Sequence, residues 1–450
     1  MRVAVIGAGI VGVTTAHELA CDGHEVSVFE RCGSVAAETS FANAGLVAPG
    51  YVTPWAAPGM PGKVLRNLFH RHAAVRVNPR LNVAAIGWMW RWWRACDAGS
   101  HKANRSRMQR LALFSKQRLN DTTRRLQLDY ERSEGCLVLL RTPQDLALAR
   151  TGLANLAELG IKFKLIDARQ CALVEPGLNP DTGLHAGIYL PEDEVGNCRQ
   201  FAHLLRNEAQ SLGVEFRFHA DVRQIVPGVR PQLVHMYAPP EESTPPATMY
   251  AAAHGDALPT QPMPFEPATD SFDAIVVCAA LGSVPLLARH GLKLPLAAVH
   301  GYSVTAPMRR DDTHPDRGPR SAVMDEQFKV AVSRLGSRLR VAGSAEIGGS
   351  LRTRNAAALE TLYKVLNDWF PGVARMSHAQ LWKGARPMMP DGPPLLGASG
   401  LQNIWLNLGH GSSGWALSCG SARVVADLIA GRKPGINIEG LGVERLHRPA

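Results

Sequence analysis

The chain has 450 residues, 46% of them hydrophobic, with a formal net charge of +10. That length buries a large core and predicts two consecutive or intertwined domains. No charge-free apolar run reaches the roughly 18 residues of a membrane span, and the eight cysteines, scattered and without a CxxC pair, argue against a zinc site or a disulfide framework.

The first element begins at once. An apolar strand, Val3–Ile6, runs into Gly7-Ala8-Gly9-Ile10-Val11-Gly12, then a helical pattern to about Cys21 and a second strand, Glu25–Phe29, ending in the acid Glu30. Strand, glycine turn, helix, strand and acid in this register make a dinucleotide site. Gly7 permits the tight turn, Gly9 lets backbone approach a pyrophosphate, and Gly12 lets the helix lie close to the strand. Val5, Ile6, Gly7, Ala8, Gly9, Ile10, Val11 and Gly12, with Glu30 and Arg31, are the candidate nucleotide contacts. A signal peptide would have to remove this strand, so with unpaired cysteines a cytoplasmic location is expected.

Beyond Arg31 a small, polar stretch, Glu38–Gly45, offers hydroxyls and amides to a ligand. Ala48–Gly59 is too rich in Pro and Gly for regular structure and reads as a pocket wall or lid. Between Lys63 and Arg125, 15 Lys and Arg stand against Asp97 and Asp121, a patch suited to an anionic surface. Inside it, Leu81–Cys96 places Ala85, Ile86, Trp88, Met89, Trp92, Trp93 and Cys96 on one helical face, which reads as core or as membrane contact. Helices follow over Arg105–Leu126, Leu146–Leu159 and Arg199–Leu212, with strands near Cys136–Arg141, Val214–Phe218 and Val222–Val226. Residues Pro227–Asp270 read as a variable surface insertion.

Ala274–Cys278 predicts a buried parallel strand closed by a second glycine turn at Ala279–Ser283. From His300 to Glu346 the pattern alternates as antiparallel strands do, and helix Ala356–Trp369 leads to Trp382–Pro394. A third glycine turn, Gly409–Gly414, follows strand Ile404–Leu408. The expected architecture is α/β: a discontinuous Rossmann-like domain (1–70, 195–285 and 375–432) and an α+β domain with an antiparallel sheet (71–194 and 286–374), with 433–450 as a tail.

With VAVIGAGIVGV and Glu30, ETSFANAG, PGYVTPWAAPG, GARPMMPDGPP and NLGHGSSGW in this order, the chain resembles the FAD-dependent D-amino acid oxidase superfamily, most closely its D-amino acid dehydrogenase small-subunit branch. Phe41, where a small residue is usual, and the 227–270 insertion depart from the pattern. The resemblance implies FAD, held noncovalently because no cysteine lies between Trp382 and Met389. It places Ser40, Asn43, Ala44 and Gly45 along phosphates and flavin, Val222 at the adenine, and Ala279, Gly282, Gly384, Gly409, His410, Gly411, Ser412, Ser413 and Gly414 around the cofactor. The implied reaction is oxidation of a D-amino acid by hydride transfer from Cα to the flavin, then hydrolysis of the imine to a 2-oxo acid and ammonia. Electrons pass to a quinone or other respiratory acceptor, with possible peripheral association at the inner membrane.

Arg386 matches the family's carboxylate anchor, and a guanidinium fork suits that task. Tyr302 and Tyr51 are candidates for touching the carboxylate or closing the pocket, Arg334 is a reserve anchor, and His410 reads as loop-building. No metal is expected. An O2-using oxidase, a proline- or hydroxyproline-type secondary amine as substrate, and an RNA-associated flavoprotein stand as alternatives, the last without a recognised RNA-binding module.

Overall fold

The computed structural model describes residues 1–67, 70–79, 81–237, 267–309 and 317–446. A six-stranded sheet runs in the order Leu395–Ala398, Ile404–Leu408, Ala274–Val277, Arg2–Ile6, Glu25–Phe29 and Glu215–Arg217. All neighbours are parallel except the antiparallel edge pair Leu395–Ala398 and Ile404–Leu408. Helix Ile10–Cys21 packs on one face together with Cys198–Ser211 and Gly414–Ile429, and the opposite face is covered by a small antiparallel sheet of Ala220–Val226, Gln232–Tyr237 and Ala268–Ser271. Strands buried on both faces explain the uninterrupted apolar runs at Val3–Ile6 and Ala274–Val277.

The approach of the first helix rests on two glycines. Gly7 takes φ +100°, a region closed to most side chains, and a Cβ on Gly12 would overlap the Gly7 carbonyl oxygen.

The second sheet has ten strands, ordered along its main path as Gln380–Met388, Ala297–Pro307, Arg338–Ile347, Val330–Leu335, Ala322–Asp325, Ser133–Leu140, Ala186–Val195 and Leu46–Val47. It is mainly antiparallel, with parallel pairings of Ala322–Asp325 to Ser133–Leu140 and of Val75–Val77 to Arg338–Ile347. Helix Ala356–Trp369 seals part of one face through Leu362, Val365, Leu366 and Trp369.

Four sequence expectations change. Gln380–Met388, assigned to the nucleotide segment 375–432, pairs along Ala297–Pro307 instead, with Arg386 opposite Val299 and Gly384 opposite Gly301; that strand supplies the ladder partners its backbone requires. Helix Ala98–Leu126, assigned to 71–194, packs on Gly414–Ile429 because Met108, Leu111, Ala112 and Leu119 form an apolar stripe. The ends of the 227–270 insertion are strands, Leu233 and His235 pointing inward from Gln232–Tyr237, while 238–266 lies outside the described residues. The 433–450 tail packs too. Leu441 is fully buried, and Arg445 pairs with Asp391 at 3.0 Å and donates to the Pro393 and Pro394 carbonyls; 447–450 lies outside the described residues.

The basic region is also less uniform than its composition suggests. Arg118 pairs with Glu18 at 2.9 Å, Lys116 with Asp193 at 3.7 Å and Arg71 with Glu360 at 2.8 Å. Arg118 and Lys116 therefore neutralise carboxylates inside the fold, while the Arg71 pair lies at the surface.

Replacing Gly12 by Ala is expected to cost about 3 kcal/mol, since backbone and not a flexible side chain stands in the way. Thermal unfolding of the variant reads this as a drop in Tm; an unchanged Tm would show that the helix can move off the strand.

Candidate active site

Two adjoining cavities lie at the carboxyl ends of the parallel strands, where open α/β sheets bind ligands. The smaller, about 160 Å³, is bounded by Ile6, Gly7, Gly9, Ile10 and Val11, by Glu30 and Arg31, by Ser40 and Val222, by Ala279 and Gly282, and by Gly409, His410, Gly411 and Gly414. The larger, about 630 Å³, takes in Asn43, Ala44, Gly45, Tyr51, Tyr302, Gly384, Arg386, Ser412 and Ser413. Ile10, Thr39, Ser40, Gly411 and Gly414 border both, so one elongated ligand can thread from the first into the second.

Val5, Ala8 and Gly12 face neither cavity. Val5 is fully buried in the sheet, Ala8 donates its amide to Glu30 at 2.6 Å, and Gly12 packs on Gly7. These three shape the turn from behind. Arg334 does not border the larger cavity and donates to the Gly336 carbonyl at 3.2 Å; its strand directs it away from the site.

The residues present fit a dinucleotide. Helices Ile10–Cys21 and Gly414–Ile429 both start at the cavities without a side-chain cap, leaving first-turn amides for an anionic ligand. Ser40 Oγ accepts from the Ile10 amide at 3.1 Å. Glu30 accepts from Ala8 and, at 2.8 Å, from Cys32, and burial pushes its carboxyl above the usual range.

Asn43–Gly45 connects the two cavities, and the larger sheet holds it in place. Arg340 Nη1 donates to the Asn43 carbonyl at 2.9 Å and Ser333 Oγ to the Ala44 carbonyl at 2.7 Å. Arg340 is almost fully buried, and burial lowers its guanidinium to about 10. Phe41, the departure noted in the sequence, packs with Ala42 and Trp382, and its ring lies 4.2 Å from the Arg199 guanidinium.

Arg386 is the site's principal charge. It is half-buried at the cavity wall, and desolvation alone lowers it to about 10. Its Nη1 donates to the Ser344 carbonyl at 2.9 Å, and its guanidinium lies 5.9 Å from the Trp55 ring centroid. Gly301 makes room for it, because a Cβ there would overlap the guanidinium. Among the described residues no carboxylate pairs with Arg386. Its desolvation therefore goes unrelieved by the protein.

Tyr302 donates to Glu346 at 2.6 Å and accepts from the Asn355 amide at 3.0 Å; Glu346 is in turn paired with the buried Lys383 at 2.9 Å. Tyr51 donates to Glu326 at 3.1 Å. Both phenols are held by the protein, so the rings act as walls and neither hydroxyl is free to serve as a carboxylate anchor. Gly384 is required by its own strand, since a Cβ would strike the Trp382 ring. His410 bonds Ser421 at 3.0 Å, and burial lowers its imidazole to about 3. It is neutral and loop-building.

Sequence reasoning missed Ser344, Ser333 and Arg340. Ser344 adopts φ +59°, sits where the ladder between Ala297–Pro307 and Arg338–Ile347 slips, and leaves its buried Oγ unpartnered at the cavity. A strained, small polar residue opposite an irregular strand is a mark of a functional site, and nothing in the run Ala342–Ala345 announces it.

A family model described as FAD dependent oxidoreductase matches residues 2–428. A D-amino acid dehydrogenase of Cereibacter sphaeroides is 41% identical over 453 aligned positions, covering 100% of this chain and 96% of the relative. One from Rhizorhabdus wittichii is 40% identical, covering 99% of this chain and all of the relative. Among solved structures, glycine oxidase from Geobacillus kaustophilus superposes with a TM-score of 0.71 at 19% identity, covering 98% of each chain.

The buried imidazole sets an acid limit. In the unfolded chain His410 takes up a proton below its ordinary value of 6.5, and in the folded chain only near 3. The unfolded state binds more protons in that window, so stability falls as pH drops through it, by up to about 1.4 kcal/mol per pH unit. Melting curves of His410→Gln should fall less steeply with acidification than those of the parent. Parallel curves would show that His410 is not the group responsible.

Proposed function

The chain belongs to the FAD dependent oxidoreductase family, and on that premise we propose that it oxidises D-amino acids to 2-oxo acids and ammonia and passes the electrons to a membrane quinone. The observation that carries the substrate class is Arg386, a half-buried guanidinium without a carboxylate partner among the described residues, facing a cavity that adjoins the nucleotide groove. An α-carboxylate completes that site, because a bidentate ion pair offsets the desolvation of both partners. The handedness rests on the likeness to D-amino acid dehydrogenases.

When bound along the Gly7–Gly12 turn, Glu30 and the Gly409–Gly414 loop, FAD would supply the redox chemistry as the hydride acceptor. The protein orients and insulates. Arg386 and its Ser344 and Trp55 contacts fix the carboxylate, and orientation of this kind removes much of the entropic barrier. Pro54, Trp55, Tyr51 and Tyr302 wall the cavity against water. No Asp or Glu borders the cavity among the described residues, so none of them offers the substrate ammonium an ion pair, and the positive field of Arg386 favours the neutral amine from which hydride leaves.

The quinone reading rests on helix Val83–Arg94. No helix among the described residues is long and apolar enough to cross a membrane. Yet Ile86, Trp90 and Trp93 lie open on this helix, each more than half exposed, with the two indoles 4.9 Å apart and Arg91 and Arg94 beside them. The one-faced stripe expected from sequence is thus divided: Trp88 and Trp92 face inward, packing with Val299, Ala345, Ile347 and Met388 of the larger sheet, and Ile86 and Trp93 face solvent. Trp88 Nε1 donates to the Met388 carbonyl at 2.9 Å, on the strand that carries Arg386. Indole pairs with flanking arginines suit an anionic lipid interface, and here that surface is one helix away from the active site.

Anaerobic mixing of the holoenzyme with paired D- and L-amino acids tests the substrate class: D-forms should bleach the flavin and L-forms should not, and bleaching by L-forms alone would overturn the reading. Arg386→Lys should lower kcat/KM about 100-fold for every substrate, the worth of a charge-assisted bond; an unchanged value would remove Arg386 as the anchor.

For the surface, the protein should sediment with vesicles of phosphatidylcholine and phosphatidylglycerol and not with phosphatidylcholine alone. The double variant Trp90→Ser, Trp93→Ser should bind at least about tenfold more weakly with its flavin content intact. Equal binding of the double variant would refute the docking face, and stoichiometric hydrogen peroxide in air would refute the quinone.

A further inference from the structure

The larger cavity is bordered by three cations, Arg105, Lys329 and Arg386, and by no carboxylate among the described residues. Lys329 is neutralised locally: its ammonium pairs with Glu326, the acid that also accepts from Tyr51. Arg105 is not. Its Nε is buried and donates to nothing, and among the described residues no acid forms an ion pair with it. Arg105 sits on helix Ala98–Leu126, one turn beyond His101, whose Nδ1 lies 2.8 Å from the Ala56 carbonyl. Ala56 adjoins Trp55, the ring beside Arg386. Two unpaired guanidiniums thus enter one cavity from two elements joined through Trp55 and Ala56.

We propose that Arg105 recognises a second anionic group on the substrate, so that the cavity prefers D-amino acids with a carboxylate side chain, D-glutamate or D-aspartate, over those with a cationic one. This rests on the reading of Arg386 as the α-carboxylate anchor. One anion leaves Arg105 without an acid partner and its buried Nε without an acceptor; two satisfy both guanidiniums, and a dicarboxylate brings the net negative charge that a cavity without acids lacks. A lysine or arginine side chain would enter the field of Arg105 with no acid to meet it, and specificity of this repulsive kind is as effective as a new attraction. The dinucleotide's pyrophosphate is not the partner, because Arg105 does not border the smaller cavity that holds the glycine turn.

The test uses the holoenzyme and two readouts. In steady state, kcat/KM for D-glutamate should exceed that for D-lysine, and Arg105→Met should lower the D-glutamate value by about 10- to 100-fold, the range of a hydrogen bond to a charged group. D-alanine should be almost unaffected, and Arg105→Lys should restore part of the loss. Independently of turnover, glutarate should perturb the flavin spectrum at lower concentration than butyrate in the parent, and that difference should vanish in Arg105→Met. An equal fall for D-alanine and D-glutamate, or an altered flavin spectrum without ligand, would assign Arg105 to the cofactor and overturn the proposal. Oxidation of D-alanine with no preference for D-glutamate over D-lysine would overturn it while leaving the D-amino acid reading intact. If no D-amino acid bleaches the flavin, that reading fails, and equal binding of glutarate and butyrate would then remove the second anion site as well.

Discussion

A guanidinium without a counter-charge, set half-buried into the wall of the cavity, is the constraint around which the site is organised. Arg386 is partly desolvated, has one carbonyl and one aromatic neighbour, and finds no counter-charge among the described residues. A cation so placed is costly to the folded state, and the surrounding sequence accommodates it. Gly301 is small because the guanidinium occupies the place of its side chain. Ser344 turns into a left-handed conformation where its carbonyl meets Nη1. The fold stores an unmet demand for an anion at the position where the substrate is to be fixed, and binding energy is then available for orientation.

The second dependency is between the sheets. Asn43–Gly45 belongs by sequence to the nucleotide half, yet its carbonyls are held by Arg340 and Ser333 from the larger sheet. Strand Gln380–Met388 does the reverse: it lies in the larger sheet and delivers Met388 and Met389 to the third glycine turn, where Met388 bridges His410. Two crossings of this kind let neither sheet move relative to the other without breaking buried hydrogen bonds, which cost most where water cannot replace them. Substrate cavity and nucleotide groove are therefore one continuous feature.

The helix Val83–Arg94 shows how one element serves two surfaces. Its indoles divide by burial, Trp88 and Trp92 toward the strand of Arg386, Trp90 and Trp93 toward solvent. Periodicity puts Trp88, Trp92 and Trp93 on one helical face; it does not register how much of that face meets the protein. The same limit applies to the basic region, where composition counts Arg118 and Lys116 as free surface charge although both neutralise buried acids of the fold.

The sequence by itself determined the nucleotide half, because glycine spacing, strand length and the acid Glu30 are local signals: Gly7, Gly9, Ala279, Gly282, Gly409 and Gly411 gather at one cavity, with Gly12 packed behind Gly7. It also marked Arg386 and the Pro-rich wall through motif resemblance. Ser344, Ser333, Arg340 and Arg105 stayed invisible, since each owes its place to a partner far along the chain, and the cost of an unpaired buried cation exists only after burial. The ten-residue strand Ala186–Val195 escaped for a related reason. Its acids Asp193 and Glu194 do not look like strand interior until Lys116 and Arg132 arrive to pair with them. Tertiary structure alone decided which charges were neutralised and which were left waiting for a ligand, because that distinction is a matter of distance and desolvation, and neither is written in residue order.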